Sequence, residues 1–206
     1  MYQLYTIPGT CSTGIHVLLN KLAIPFEVIK RDDVPNYQSI VPTNQVPALQ
    51  DQDRLITEGA AIALHLLAKH PHPHKNVWQE EEFIQWLMFN YATLHPAYSK
   101  IIGVFKVMKE GQEKQALMEA FAEKLADTWK IVDNRLATQK YMVGDEASII
   151  DYLLAIYVRW GNFFPSLSIP VGKNVLRLVD EIKQLPEFTK AFATEGCEYQ
   201  IPDNAK

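Results

Sequence analysis

Cysteine, positive charge and long apolar runs are all scarce in this chain. Only two of its 206 residues are cysteine, Cys11 and Cys197, which is too few for a disulfide framework and fits a reducing compartment. Twenty basic against 24 acidic side chains give a net charge of −4, so no cationic excess is available to neutralise nucleic-acid phosphates. We therefore expect no nucleic-acid partner, and we interpret each cysteine as a single thiol.

The most apolar stretch is too short for a membrane span. It covers 149–164, contains Asp151 and Arg159, and falls short of the ~20 apolar residues that a spanning helix needs. Residues 1–12 carry no basic run ahead of an apolar core, so no targeting segment is visible. We expect a cytoplasmic protein with no membrane partner.

What the sequence does contain is a globular composition, with 48% hydrophobic and 21% charged residues. Up to about His70, short apolar runs alternate with turn residues. Apolar residues recur at helical spacing in one stretch, 12–23, and cover most faces of a second, 57–69. This pattern predicts a βαβ unit, an irregular segment over 32–43, and then a ββα unit. The predicted strands cover 3–6, 26–29, 46–49 and 55–56, and the predicted helices cover 12–23 and 57–69.

The rhythm changes at Pro71-His72-Pro73-His74, because two prolines cannot continue a helix. After this segment the apolar spacing is helical throughout, and Ser148 with Asp151 has the spacing of a capping box. We predict an α/β domain over 1–70, a linker over 71–77 and an all-helical domain over 78–206. The two linker histidines are too flexibly placed to form a metal pair, so no metal is expected.

Cys11 lies where the first strand gives way to the first helix. The unpaired N–H groups and the helix dipole there favour thiolate over thiol, which predicts a lowered pKa and suits a nucleophile. The alternative is a small buried hydrophobic residue. The sequence Cys11-Ser12-Thr13-Gly14 lacks the second cysteine of a C-x-x-C pair, so a redox cycle at Cys11 would need an external thiol.

Three other positions are candidates for a site. Val46-Pro47 stands at the start of a strand, where a cis proline would leave the valine backbone free for an extended ligand; an ordinary edge-strand proline is the alternative. Thr57-Glu58-Gly59 opens a helix, where a ligand can approach the backbone, or where the residues simply cap the helix. His95 precedes Pro96 and is expected at a kink facing a cleft, or in a structural role.

Taken together, these features resemble the glutathione transferase family, and most of all its bacterial beta class, which has cysteine at the position of Cys11. The resemblance implies a thioredoxin-like N-terminal domain that binds glutathione and a helical domain that supplies much of the second-substrate pocket. It spans nearly the whole chain. The stretches that carry it are Tyr5–Ser12, Asn44–Leu49, Leu55–Ile62, Ser148–Asp151 and Thr194–Gly196.

The resemblance also implies roles for individual residues. Cys11, Ser12 and His95 would be catalytic. Val46 would pair with the cysteinyl part of glutathione beside a cis Pro47, and Glu58 with Gly59 would hold its γ-glutamyl group. Completing the expected glutathione site are Tyr5, Thr10 and Gln45. The Ser148 capping box is a folding motif of the family, and its members form twofold dimers, so a homodimer is expected.

Two chemistries and one noncatalytic alternative follow. The protein could conjugate glutathione to a small hydrophobic electrophile, as in detoxification, or Cys11 could form a mixed disulfide with glutathione and reduce disulfides. Alternatively, the fold serves only as a binding or interaction module. That alternative is favoured by Met88 and Pro96, which replace polar family residues, and by the short segment over 31–43, which offers no clear lysine for glutathione.

Overall fold

Residues 1–70 and 77–206 are described by a computed structural model. The N-terminal part is built on a four-stranded sheet in which β1 pairs parallel with β2 and antiparallel with β3, and β3 pairs antiparallel with β4. The strands are β1 Tyr2–Thr6, β2 Phe26–Lys30, β3 Ala48–Asp51 and β4 Arg54–Thr57. The predicted βαβ–ββα order and its thioredoxin-like sheet are confirmed.

Helices make up most of the remaining chain. They are α1 Cys11–Lys21, α2 Tyr37–Ile40, α3 Gly59–Lys69, α4 Glu81–Phe89, α5 His95–Val107, α6 Gln112–Leu136, α7 Ile149–Arg159, α8 Lys173–Ile182 and α9 Pro186–Glu195. Every helix from α4 onward belongs to the C-terminal part, which confirms the all-helical class. The predicted linker over 71–77 lies outside the described residues except for Val77, so the domain limits stay a prediction. Within the described ranges, no helix has the length and apolar character to cross a membrane.

Two predictions about the segment between β2 and β3 are wrong. Residues 32–43 are not irregular, because they contain a 3-10 turn at Arg31–Asp33 and the short helix α2. Strand β3 begins at Ala48 instead of Val46, because Pro47 has no N–H to donate to the sheet ladder. The backbone of Val46 therefore lies beyond the end of the ladder.

Helix α1 joins the two parts of the molecule. It packs against α3 from the N-terminal part and against α7 and α9 from the C-terminal part. The approach to α7 is close, because a Cβ placed on Gly14 would lie 2.8 Å from a methyl carbon of Leu153. Thr10 caps the helix, its hydroxyl accepting a bond from the N–H of Ser12. The first residue of α1, Cys11, is thereby held where the two parts meet.

Helices α4 and α5 are connected by a π-helical turn at Asn90–Leu94. His95 was expected to leave the helical region because it precedes a proline, but its φ of −58° and ψ of −48° are fully α-helical. Pro96 lies in the first turn of α5. The departure from α-helical hydrogen bonding lies one turn earlier, in the π turn.

Candidate functional site

A cavity of about 570 Å³ lies between the sheet and the helical part of the chain. This volume is in the range of small-molecule sites. From the N-terminal part it is lined by Thr10, Cys11, Gln45, Val46, Pro47, Glu58 and Gly59, and from the helices by Tyr91 and His95 among others. Seven predicted glutathione-site or catalytic residues from the N-terminal part and the predicted histidine are thus brought together.

Cys11 contributes a buried sulfur atom to the wall of this cavity. Its side chain is a free thiol that is 7% exposed, and its Sγ donates to the carbonyl oxygen of Val46 at 3.5 Å. Burial raises the pKa of Cys11 to about 12, although the N–H groups of Cys11 and Ser12 act to lower it. The predicted lowering of this pKa is therefore wrong, because desolvation of the thiolate outweighs the helix N-terminus.

Ser12 does not reach the cavity. Its hydroxyl is fully buried beneath the start of α1, 2.6 Å from Oγ1 of Thr6 and 2.8 Å from Oγ1 of Thr10, and it accepts a bond from the N–H of Ile7. With these partners, Ser12 holds the loop between β1 and α1. Ser12 is therefore not among the residues that line the cavity, while the neighbouring Thr10 does line it, and a catalytic role for Ser12 stays a prediction.

Tyr5 also lies elsewhere. Its ring packs against Tyr37 at a centroid distance of 5.4 Å, in a small apolar cluster with Val41 and Ala48. Neighbouring strand residues face opposite sides of a sheet, and Leu4 faces the main core while Tyr5 faces this second cluster. Tyr5 is therefore not among the residues that line the cavity, and its role in glutathione binding stays a prediction.

The segment before β3 presents backbone to the cavity. The Val46–Pro47 peptide bond is cis, as predicted. Gln45 is exposed at the rim, and its carbonyl oxygen accepts a bond from the Tyr37 hydroxyl at 2.9 Å. An extended ligand lying along this segment would meet the main chain of Val46 where the sheet ladder has ended.

The corner between β4 and α3 has an unusual backbone. Glu58 has a φ of 65° and a ψ of 113°, a conformation that is costly for a residue with a Cβ and that tends to occur at functional sites. Its carboxylate is exposed and makes no capping bond to α3. Gly59 follows at the start of α3, where backbone N–H groups favour anions. An acidic side chain thus stands beside an anion-binding helix terminus.

His95 closes the opposite wall. Its ring contacts Trp160 edge-on at 5.3 Å and Tyr157 at 5.9 Å, and its Nδ1 lies 3.3 Å from the hydroxyl of Ser99. Burial lowers the pKa of His95, so the imidazole is neutral at neutral pH and has a lone pair with which to accept a proton.

Among the residues that border the cavity and that sequence reasoning missed, Arg31, Lys106 and Tyr91 carry polar or charged groups that bear on its chemistry. Arg31 and Lys106 place positive charge at its edges, and Tyr91 covers Gly59 so closely that a Cβ there would collide with the phenol. Tyr91 precedes His95 by four residues, a spacing that places two helical residues on one face and could have indicated it. Across the described parts of the chain, no three His, Cys, Asp or Glu side chains gather in a way that could hold a metal ion.

Comparison with known proteins agrees with this geometry. Residues 4–74 match the family model of the glutathione S-transferase N-terminal domain, and residues 94–190 match that of the C-terminal domain. A relative is glutathione S-transferase GST-4.5 of Xanthomonas campestris, 27% identical over 78% of this chain and 82% of its own.

Two solved structures share the fold. A glutathione S-transferase from Xylella fastidiosa has a TM-score of 0.86 at 22% identity, covering 96% of this chain and 100% of its own. A sphingomonad glutathione S-transferase complexed with glutathione has a TM-score of 0.76 at 22% identity, covering 95% and 100%. On the two family-model matches, which between them take in most of its length, the chain belongs to the glutathione S-transferase family.

Proposed function

We propose that this protein is a glutathione-dependent transferase that conjugates the tripeptide to small apolar electrophiles. The observation that carries the proposal is the meeting, in one cavity, of a thiol, a main-chain segment beyond the end of the sheet ladder and an acidic helix corner. These are Cys11, Val46 and Glu58 with Gly59, and they face His95 across the cavity. Family membership supports the same activity.

Each part of glutathione has a counterpart in the cavity. The main chain of Val46 would pair with the cysteinyl residue, with Gln45 and Thr10 beside it. The exposed carboxylate of Glu58 would receive the α-ammonium group, and the N–H groups at Gly59 would receive the α-carboxylate. Arg31 is a candidate for the glycyl carboxylate, since it borders the cavity and the adjoining depression.

The proposed chemistry follows from the protonation states of His95 and Cys11. Conjugation requires the glutathione thiol to lose its proton, after which its sulfur forms a bond to the electrophilic carbon and the leaving group departs with the electron pair of the broken bond. His95 is neutral and can accept that proton. Cys11 keeps its own proton at neutral pH because burial raises its pKa, so its S–H could turn from the carbonyl oxygen of Val46 to donate to the glutathione sulfur.

Calorimetric titration with glutathione and conjugation of chlorodinitrobenzene test the proposal. Glu58→Gln removes the charge that would face the ammonium group, and we expect an affinity loss of about tenfold or more, the usual size for a charge-assisted hydrogen bond. Glu113→Gln is the matched control, because Glu113 is exposed in the first turn of α6, outside the residues that line the cavity. Binding without conjugation would favour the noncatalytic alternative, and absence of binding would reject the proposal.

Thiol transfer is the second candidate, because Cys11 is a free thiol, not part of a disulfide, and borders the cavity. Oxidised glutathione would exchange with the thiol, forming a Cys11–glutathione disulfide and releasing one reduced glutathione. Mass spectrometry after incubation with oxidised glutathione tests this reaction. The matched control is Cys197, which is half-buried outside the cavity. If Cys11 carries no adduct, thiol transfer is excluded.

We also propose a cytoplasmic homodimer with a role in detoxification. Helix α4 carries two large apolar side chains at helical spacing, Ile84 and Met88, that are 38% and 37% exposed. A second copy packed on α3 and α4 would cover them. Light scattering at micromolar concentration is expected to give the mass of a dimer, and a monomeric mass would contradict this assembly.

A further inference from the structure

The hydroxyl of Tyr91 is buried and has no hydrogen-bond partner among the residues that the structure describes. Buried polar groups in folded proteins are nearly always paired, so an unpaired one requires an explanation. Burial also raises the pKa of Tyr91 well above its usual range, so the phenol stays protonated and acts as a donor. The site therefore holds a hydrogen-bond donor for which residues 1–70 and 77–206 provide no acceptor.

The position of Tyr91 indicates where that acceptor would lie. The residue is in the π-helical turn between α4 and α5, its ring covers Gly59, and it lines the same cavity as Cys11. After burial, the titratable groups that most affect the pKa of its hydroxyl are Cys11 and then Glu58. The donor therefore lies between the thiol and the corner of α3, inside the cavity.

A second phenol lies behind the first. The hydroxyl of Tyr157 is likewise buried and unpaired, and its electrostatic neighbours are Tyr91 and Cys11. Two of the five unpaired buried side-chain atoms among the described residues thus have Cys11 as an electrostatic neighbour. Within that part of the chain, no carboxylate or backbone carbonyl accepts from either hydroxyl. Two unpaired O–H groups in a buried site suit an anion that can accept hydrogen bonds from them.

We propose that Tyr91 is a catalytic residue whose hydroxyl donates a hydrogen bond to the sulfur of bound glutathione. This inference rests on the proposed function. As the thiol proton leaves for His95 or solvent, the sulfur gains negative charge and becomes a stronger acceptor, while the phenol keeps its own proton. The sulfur electron pair then forms the bond to the electrophilic carbon, and the leaving group departs with the electron pair of the bond that breaks. The hydrogen bond is stronger to the thiolate than to the thiol, so it favours the reactive form.

Tyr91→Phe tests the proposal by removing one oxygen atom. We expect the pKa of the bound glutathione thiol, followed by the ultraviolet absorbance of the thiolate, to rise by about one to two units, as loss of a hydrogen bond to a charged group implies. Affinity for S-methylglutathione should stay within about threefold, since a thioether sulfur is a weak acceptor. The thermal midpoint should not fall, because the lost hydroxyl has no partner in the described part of the chain.

Tyr2→Phe is the matched control. Tyr2 is also a buried tyrosine, but its hydroxyl is paired with His70 at 2.9 Å, and it lies outside the cavity lining. We expect no change in the pKa of the bound thiol in this variant.

The outcomes separate this inference from the proposed function. If the wild-type protein binds both ligands and Tyr91→Phe leaves the thiol pKa unchanged, the inference alone is overturned. An equal loss of affinity for S-methylglutathione would also overturn it, because Tyr91 would then be acting on the peptide part. If the wild-type protein binds neither ligand, the proposed function fails and the inference fails with it.

Discussion

At the scale of single residues, Cys11 shows that position in a helix and burial can have opposite effects on the pKa of a thiol. A thiol at the start of a helix is expected to ionise easily, and two backbone N–H groups do favour the thiolate here. The side chain is nevertheless almost completely buried, and the loss of water around the thiolate has the larger effect. Position was readable in the sequence, whereas burial depends on helices that are distant along the chain.

Alkylation rates test this conclusion. In a Cys197→Ser variant, which leaves one thiol, the reaction of Cys11 with iodoacetamide should rise about tenfold per pH unit between about pH 7 and pH 9. The reason is that the raised pKa keeps the thiolate fraction small over this whole range. Mass spectrometry of the labelled peptide gives the rates. A plateau below about pH 8 would indicate an ionised thiol and contradict the argument.

The site residues divide according to what a sequence can specify. Cys11, Pro47, Glu58 and Gly59 lie at turns between elements, where local patterns place them well, and all line the cavity. Ser12 and Tyr5 are in the same short stretch of chain, yet they point into a hydroxyl network and a second apolar cluster. The side on which a residue faces depends on the pleat of the sheet and the packing of α1, not on proximity in sequence.

At the scale of elements, the strands and most helices follow from the spacing of apolar residues, and the exceptions have physical causes. Helix α2 contains only four residues, too few to show a period. The π turn at Asn90–Leu94 shifts the phase of the helix between α4 and α5. A helical wheel drawn from α4 therefore fails beyond Asn90, which is why Tyr91 was not predicted to face the cavity.

The contact between α3 and the π turn is testable by a double-mutant cycle. Gly59→Ala introduces a methyl group into the space of the Tyr91 ring, so we expect a loss of about 1–3 kcal/mol in the free energy of unfolding. In a Tyr91→Ala background the cost of Gly59→Ala should disappear, because the colliding atoms are gone. Denaturant unfolding of the four proteins measures the coupling.

Gly103→Ala is the control for this cycle. Gly103 lies within α5, and a Cβ there would have no heavy atom within 4 Å. This substitution should stabilise the protein by about 0.5–1 kcal/mol through helix propensity. A similar cost for Gly59→Ala in both backgrounds would show that Tyr91 does not restrict this position.

The capping box of α7 makes the stability of the fold depend on pH. It is formed as predicted, with Ser148 accepting from the N–H of Ile150 and Asp151 accepting from the N–H of Ser148 at 2.9 Å. Asp151 also accepts from the N–H of Met142. Burial nevertheless raises the pKa of Asp151 from 3.8 to about 6, so ionising this carboxyl costs more in the folded than in the unfolded chain.

Comparison with Asp151→Asn should reveal this cost. Because the folded pKa lies above the unfolded value, the contribution of Asp151 is fully present below about pH 4 and is lost as the pH rises through about 6. The unfolding free energy of the wild type relative to Asp151→Asn should therefore fall by about 3 kcal/mol over that range. Urea unfolding at several pH values measures the difference, and a difference that is constant or that grows with pH would refute it.

At the scale of the whole molecule, the helical part fixes the loop that leads to Cys11. The indole N–H of Trp160 donates to the carbonyl oxygen of Gly9 at 3.0 Å. The fully buried carboxylate of Glu195, at the end of α9, accepts from the N–H of Gly9 at 3.1 Å and from the hydroxyl of Thr13 at 2.7 Å. The position of the thiol is thus set by residues nearly 200 positions away, which local sequence patterns do not reveal.

Glu195→Gln tests how strongly this connection stabilises the fold. Besides Gly9 and Thr13, the carboxylate has the Thr6 hydroxyl at 3.3 Å and Nδ1 of His16 at 2.9 Å, so both of its oxygens face partners on the N-terminal part. A glutamine would keep its oxygen on Gly9 and Thr13 and would turn its NH₂ group towards Thr6 and His16, whose hydroxyl oxygen and ring nitrogen would then have to accept instead of donate. We expect a loss of about 1.5–3 kcal/mol in the free energy of unfolding, the range for hydrogen bonds to a charged group.

The control for this experiment lies three residues further along the chain. Glu198 is exposed, and only its backbone carbonyl is used, accepting a bond from Arg159, so Glu198→Gln should change stability by no more than about 0.5 kcal/mol. Thermal and urea unfolding of both variants give the comparison. If the two halves depend on each other through Glu195, Glu195→Gln should also speed the alkylation of Cys11, because the loop at Gly9 loses its anchor. Equal stability of the two variants would mean that α1 is held by apolar packing against α7 and α9 alone.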